Sequence, residues 1–272
     1  MSTSPAARDP VPAGVPVDRG RIRGETAAVV ERLAVLVRAL PPSVGGTRLI
    51  ALDGPSGSGK STIARGLAEA LDAPVIHLDE VYDGWNGLAG IGDQLRRWVV
   101  GPLLAGRAPR WRRYDWAADR YAGWQTSPVA ADLVLDGCGA GTGGVARHLA
   151  LLVWVDAPAE VREERVRSRG DWAWYAPHRA GWARAESLLH ERERTYERSD
   201  ALVHNGERTV LEPGAGPRAE AVRAFGAGAL GAGVLGTEAL GTGDLDPGPH
   251  GHRVSRADDG EEGHGRDGHL AL

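Results

Sequence analysis

The chain has 272 residues, 42% hydrophobic and 25% charged, with a formal net charge of −4, a composition ordinary for a soluble protein of one large or two small domains. A single cysteine excludes a disulfide framework and a multi-cysteine zinc site, and no run approaches the 18 apolar residues of a membrane span. Residues 213–272 hold 15 of the 39 glycines with five basic and nine acidic side chains, so the other 212 residues balance at 27 charges of each sign and offer no footprint for duplex nucleic acid or an anionic membrane.

Residues 1–20 carry four prolines and no apolar period, which predicts a disordered arm. They lack the basic-then-apolar pattern of a signal peptide, so a cytoplasmic location is expected. From Ile22 to Leu40, Val29, Val30, Leu33, Leu36, Val37 and Leu40 mark one helical face, and Pro41 and Pro42 stop it. Arg48–Asp53 reads as a short buried strand, followed by a glycine-rich turn and a helix over Ser61–Leu71. A second strand is predicted over Val75–Asp79 and a helix over Ile91–Leu104.

Residues 105–130 are rich in Arg and Trp without a clear period, which predicts loop with some helix. Strands follow at Asp132–Asp136 and Leu149–Val155, a helix opened by Pro158 runs to about Arg167, and a long polar helix covers about Gly181–Arg198. Ala201–His204 is a last short strand, with order fading after Leu211. The expected fold is therefore α/β, a parallel five-stranded sheet with helices on both faces in three layers. The domain spans 21–211, with a lid at about 165–178. Residues 212–272 form a low-complexity Gly/Ala/His-rich tail, in which His250, His252, His264 and His269 read as scattered polar residues.

Gly54-Pro55-Ser56-Gly57-Ser58-Gly59-Lys60-Ser61 matches G-x-x-x-x-G-K-[ST], after a predicted strand and before a predicted helix. Such a backbone wraps a polyphosphate with inward N–H groups, and the helix N-terminus adds positive charge. Lys60 is long enough to reach the β- and γ-phosphates, Ser61 is a Mg²⁺ ligand, and Thr62 completes the segment. Lys60 is also the only lysine, against 31 arginines. A GTPase base-reading Asn/Thr-Lys-x-Asp segment is thereby excluded, and ATP with Mg²⁺ is the expected pair.

A small kinase also needs a base, a second acid for magnesium and arginines over the phosphoryl group. Asp79, ending the second strand, is the candidate base. Asp136, at the end of the Leu133–Asp136 run, is the candidate magnesium carboxylate, while Asp53 orients the loop. Arg162, Arg165 and Arg169 recur on one helical face, and Arg165 and Arg169 are the candidate phosphate contacts.

Together the loop, Asp79 with Tyr82, Asp136-Gly137 and the Arg165–Arg169 stretch resemble the uridine kinase branch of P-loop nucleoside and nucleotide kinases, over about residues 46–205. The resemblance implies a base at Asp79, magnesium held with the help of Asp136, and phosphate contacts from Arg165 and Arg169. It departs in having Asp136 where relatives usually carry Glu. The Tyr114-Asp115-Trp116-Ala117-Ala118-Asp119-Arg120 segment keeps the opening of the family's nucleoside-recognition stretch without its His. Asp53-Gly54-Pro55 is closer to cytidylate kinases. Eight of nine tryptophans lie outside the predicted strands, as an aromatic acceptor pocket or as core filler. Tyr82, Trp85, Tyr114, Asp115 and Arg120 are the candidate contacts to a small-molecule acceptor. The readings in order are a small-molecule hydroxyl kinase, a nucleoside monophosphate kinase with an arginine clamp, and an ATP-binding regulatory module.

Overall fold

A computed structural model describes residues 24–228; the predicted arm and the four tail histidines lie outside the described residues. The first helix, α1 (Gly24–Ala39), keeps the predicted apolar face buried. Strand β1 (Arg48–Asp53), helix α2 (Lys60–Leu71) and strand β2 (Val75–His77) follow. Ile91–Leu95, a π-helical Arg96–Val100 and Gly101–Leu104 continue one another as α3. Then come β3 (Arg110–Asp115), β4 (Arg120–Thr126), β5 (Asp132–Asp136), β6 (Leu151–Asp156) and α4 (Ala159–Arg167). Helix α5 (Arg179–Glu193), β7 (Ala201–Asn205), β8 (Thr209–Pro213) and α6 (Ala219–Gly228) complete the order.

Six strands form one sheet in the order β2-β5-β1-β6-β7-β8. The five predicted strands are mutually parallel, and β8 adds an antiparallel edge through the turn after β7. Because β1 lies between β5 and β6, the chain leaves it to one side and later returns to the other. A crevice opens at such a switch point beyond the carboxyl ends of the strands. Alternation along β1 sends Leu49 and Ala51 to one core and Ile50 and Leu52 to the other. α1, α2 and α6 cover the second core, and the segments from Leu78 to Leu103 with α5 cover the first. Each fully buried Leu or Ile contributes about 1.5–3 kcal/mol.

Four boundaries differ from expectation. Residues 110–126 are a β-hairpin, so Trp111 and Trp124 lie on strands. A register shift between Arg112 and Tyr114 breaks the period of two, which is why no strand pattern shows in the sequence. The second strand stops at His77, and Asp79 sits in a 3₁₀ turn, Leu78–Glu80. The long polar helix breaks where Arg194 turns left-handed at φ 48°, leaving Thr195–Arg198 as a separate short helix. Finally, the fold extends past 211 to Gly228, with Ala219 and Val222 buried. Among the described residues no helix is long and apolar enough to cross a membrane.

Asp200 fastens that last segment. Buried at 1% exposure, it accepts the Leu152 N–H at 2.9 Å on one oxygen and the Arg218 N–H at 2.8 Å on the other. Asp200→Ala should therefore cost about 2–3 kcal/mol, read as a lowered urea midpoint. A parent-like midpoint would mean that the Asp200 carboxylate does not fasten this segment.

Candidate active site

The crevice is lined first by the turn between β1 and α2. Gly54 has φ 139°, and a Cβ there would lie 2.0 Å from the Val155 carbonyl oxygen. Gly57 has φ 80°, and a Cβ there would lie 2.4 Å from the Arg162 carbonyl oxygen. Only glycine serves at either position, because α4 and β6 press directly on the loop. α2 opens at Lys60 without a side-chain cap, leaving its first N–H groups for an anion. Ser58 is fully buried with a partnerless hydroxyl, whereas Ser61 and Thr62 are exposed on the first turn of α2. Pro55 accepts a long contact, 3.4 Å, from Lys60 Nζ.

Asp53 holds this loop. It is fully buried and accepts the N–H groups of Gly54 (2.7 Å), Gly139 (2.9 Å) and Gly141 (2.9 Å), with His190 Nε2 at 3.3 Å. Burial alone would raise its pKa, but His190 and the Gly141 and Gly139 N–H groups outweigh that and hold it below the ordinary 3.8.

Three further charges meet Lys60. Asp136, the last residue of β5, is 3% exposed. Its Oδ2 lies 2.9 Å from His77 Nδ1, and its Oδ1 has no partner. The bond to Asp136 raises the His77 pKa, against its partial burial. Asp79 is exposed to solvent yet crowded by protein. That crowding raises its pKa above 3.8, Asp136 pushes the same way, and Lys60, Arg169 and His77 pull it back. Around Lys60, burial opposes the charge, but the carboxylates of Glu186, Asp136 and Asp79 hold the ammonium above its usual range. Sequence spacing thus placed Lys60, Asp79 and Asp136 on separate elements, and the fold brings their charges together.

The arginines differ in their engagements. Arg165 Nη1 faces the Gly57 and Ser58 carbonyl oxygens at 3.4 and 3.3 Å, bracing the loop. Arg169 makes a two-point pair with Asp171 at 2.9 and 2.6 Å while remaining near enough to Asp79 to interact with it.

The acceptor-side candidates separate into two groups. Trp85 is half-buried, stacked on His178 at 4.0 Å and packed against Trp116 (5.0 Å) and Trp174 (4.8 Å). Trp116 Nε1 donates to the Asp79 carbonyl oxygen at 2.8 Å, so these rings stand beside the base candidate. Tyr82 instead lies in the core at 1% exposure, its hydroxyl donating to the Cys138 carbonyl oxygen at 2.8 Å. Tyr114 is also buried and donates to Asp119 at 2.7 Å. Asp115 accepts the N–H groups of Ala117 and Ala118, shaping the hairpin turn, and Arg120 is exposed opposite it. A groove of about 680 Å³ lies behind Trp85, between residues 85–89 and α5. It includes neither the loop nor Asp79, so the chemistry argues against it as the reaction site.

Two site residues escaped sequence reasoning. Glu186 of α5, 4% exposed, accepts from the Ser56 N–H at 3.1 Å, from the Ser56 hydroxyl and from Trp182 Nε1 at 2.7 Å. The Cys138 thiol lies 2.9 Å from the same carboxylate, and burial with Glu186 pushes that thiol well up. The only sequence signal was an apolar-side Glu four residues after a Trp.

Magnesium fits these residues on two observations: the partnerless Asp136 Oδ1 and the exposed Ser61 hydroxyl beside the loop. Among the described residues no cluster of three or more His, Cys, Asp or Glu forms a metal cage.

Asp53→Asn should remove a pH dependence. The folded pKa is depressed, so the stabilisation is full above about 3.8 and is lost as pH falls through the folded value. The variant should be less stable at pH 7, with a flatter stability curve below pH 4 in urea titrations. Parallel curves for parent and variant would contradict the charged role.

The cytidylate kinase family model matches residues 50–86, which contain β1, the loop, α2 and the Asp79 turn. A cytidylate kinase of Natronomonas pharaonis is 34% identical over 128 residues, 45% of this chain and 59% of that protein. The chain thus spans well under two thirds of that relative. Among solved structures, one titled a possible uridine kinase from Bacillus stearothermophilus is 18% identical. It covers 66% of this chain and 99% of its own, with a TM-score of 0.48. A shikimate kinase from Bacteroides thetaiotaomicron is 17% identical, covers 58% and 86%, and has a TM-score of 0.35. The resemblance to P-loop nucleotide kinases expected from the motif is borne out where the family model matches, over the loop itself. The chain is therefore similar to cytidylate kinases over β1, the loop, α2 and the Asp79 turn, within an α/β fold whose central strands are parallel.

Proposed function

We propose that the protein is an ATP- and Mg²⁺-dependent kinase that transfers the γ-phosphoryl group to a hydroxyl of a small nucleoside-like acceptor. The observation that carries this reading is the meeting of the sole lysine with two acids from different elements, Asp79 in the turn after β2 and Asp136 at the end of β5. Asp136 and Ser61 would hold magnesium, which when bound neutralises phosphate charge. Lys60 and the α2 N-terminus bind the polyphosphate, and Arg165 keeps the loop in shape from behind. Asp79 accepts the proton of the acceptor hydroxyl as its oxygen bonds to phosphorus and the bond to the ADP oxygen breaks. Arg169 lies near that carboxylate and can shift from Asp171 to the transferring phosphoryl group. Trp85 and Trp116, tilted 56° to each other, offer aromatic faces for the acceptor beside Asp79.

The family match favours a second reading, a nucleoside monophosphate kinase. Such an enzyme needs free arginines for the acceptor phosphate. Arg110 and Arg112 lie instead over Trp124 and Tyr121, at 4.7 and 5.2 Å, and Arg96 pairs with Asp93. Arg97 and Arg113, the other two arginines that could clamp such a phosphate, are exposed and remain available to this second reading.

ADP release from Mg-ATP should be stimulated by members of a panel of nucleosides, monophosphates, sugars and small alcohols. Lys60→Ala should lower the stimulated rate about 10²–10³-fold and Asp79→Asn about 10²–10⁴-fold. Stimulation by monophosphates alone, insensitive to Asp79→Asn, selects the second reading. Nucleotide binding with no stimulation refutes both in favour of a regulatory module.

The raised Asp79 pKa has a defined consequence for rate. Protonation of the base sets in at higher pH than for an ordinary aspartate, so kcat/KM should fall on acidification before pH reaches about 3.8. The acid limb should vanish in the residual activity of Asp79→Asn. An unchanged limb would remove Asp79 as the base.

A further inference from the structure

Four hydrogen-bond donors converge on one buried carboxylate, that of Glu186. They are the Ser56 N–H and hydroxyl from the phosphate loop, the Trp182 indole N–H and the Cys138 thiol. An ionised carboxylate is the side chain that accepts on every lone pair and donates nothing. All four meet Oε1, so glutamine would keep an acceptor oxygen among them and remove only the charge that strengthens those bonds.

Its location connects two halves of the crevice. Ser56 lies in the loop, while Trp182 packs edge-on against Tyr82 at 5.0 Å and Trp85 at 6.0 Å. Trp85 in turn packs on Trp116, which donates to the carbonyl of Asp79. Every link from Ser56 to Asp79 is thus a hydrogen bond or a ring contact. Glu186 is 4% exposed and Trp182 6%, so the Glu186 end of the link is dry, where charge-assisted hydrogen bonds are strong.

We infer that Glu186 is a positioning residue that sets the phosphate loop from the aromatic wall, so that Trp182 and Ser56 act on nucleotide binding as one unit. The inference rests on the loop being an ATP site, and its test reads binding without turnover. Mg-ATP affinity is measured by calorimetry on the full chain, for the parent, Glu186→Gln, Trp182→Phe and the double variant. Each is held below its own thermal midpoint.

Glu186→Gln should weaken Mg-ATP binding about tenfold or more. Trp182→Phe, which touches no loop residue directly, should weaken it several-fold. The double variant should be little worse than Glu186→Gln, because the two act through one carboxylate. Additive losses, or parent-like affinity in Trp182→Phe, overturn the inference. Tighter binding in Glu186→Gln also overturns it, showing a carboxylate that competes with phosphate. A lower midpoint with unchanged affinity would reduce Glu186 to packing. Should Glu186→Gln fail to fold, Trp182→Phe with Ser56→Ala supplies the same comparison. A parent that binds no Mg-ATP instead sinks the nucleotide reading itself.

Discussion

An aspartate buried at the end of a central strand must find partners for both oxygens, and Asp53 finds them in two different turns. Its carboxylate takes the first N–H of the phosphate loop and two N–H groups of the turn that follows β5. Those turns belong to neighbouring strands, so one charge fixes the loop and the segment beside Asp136 together. His190 from α5 adds a third element to the same carboxylate. The loop is held from below as well as by an internal bond from the Ser58 N–H to the Pro55 carbonyl oxygen at 3.2 Å.

Above this base the site is crowded with opposite charges that are only partly matched. Lys60 is surrounded by Asp79, Asp136 and Glu186, and each acid meets a different demand. Glu186 gathers four donors on one oxygen, Asp136 keeps one oxygen free, and Asp79 faces solvent. A compact ammonium can sit among them where a planar guanidinium would need a matched fork. That explains why a chain with 31 arginines retains one lysine, and retains it here.

The aromatic residues serve both packing and the crevice, according to depth. Tyr82, Tyr175 and Trp182 are buried in the first core, while Trp85, Trp116 and Trp174 lie partly open above them. With one Phe and one Met in the whole chain, tryptophan fills volume that other proteins give to those residues. The same rings then line the crevice beside Asp79 without a separate set of residues.

Local chemistry made the loop, its lysine and the five parallel strands readable from the residues in order. Glycine spacing, strand-length apolar runs and helix stops act over a few residues, and β1, α2 and β5 appear where they predict. The hairpin was hidden because a bulge at Arg112–Tyr114 breaks its alternation. The helix at 219–228 was hidden because its neighbours' glycines mask a short apolar face. Tertiary structure alone decided which polar residues face the crevice. Tyr82 and Tyr114 look like contacts by proximity in sequence, but their hydroxyls are used by Cys138 and Asp119. Glu186 carries no motif and stands 130 residues from Ser56. A carboxylate's partners depend on which donors the packed helices bring within 3 Å, and that distance is set only when the chain has folded.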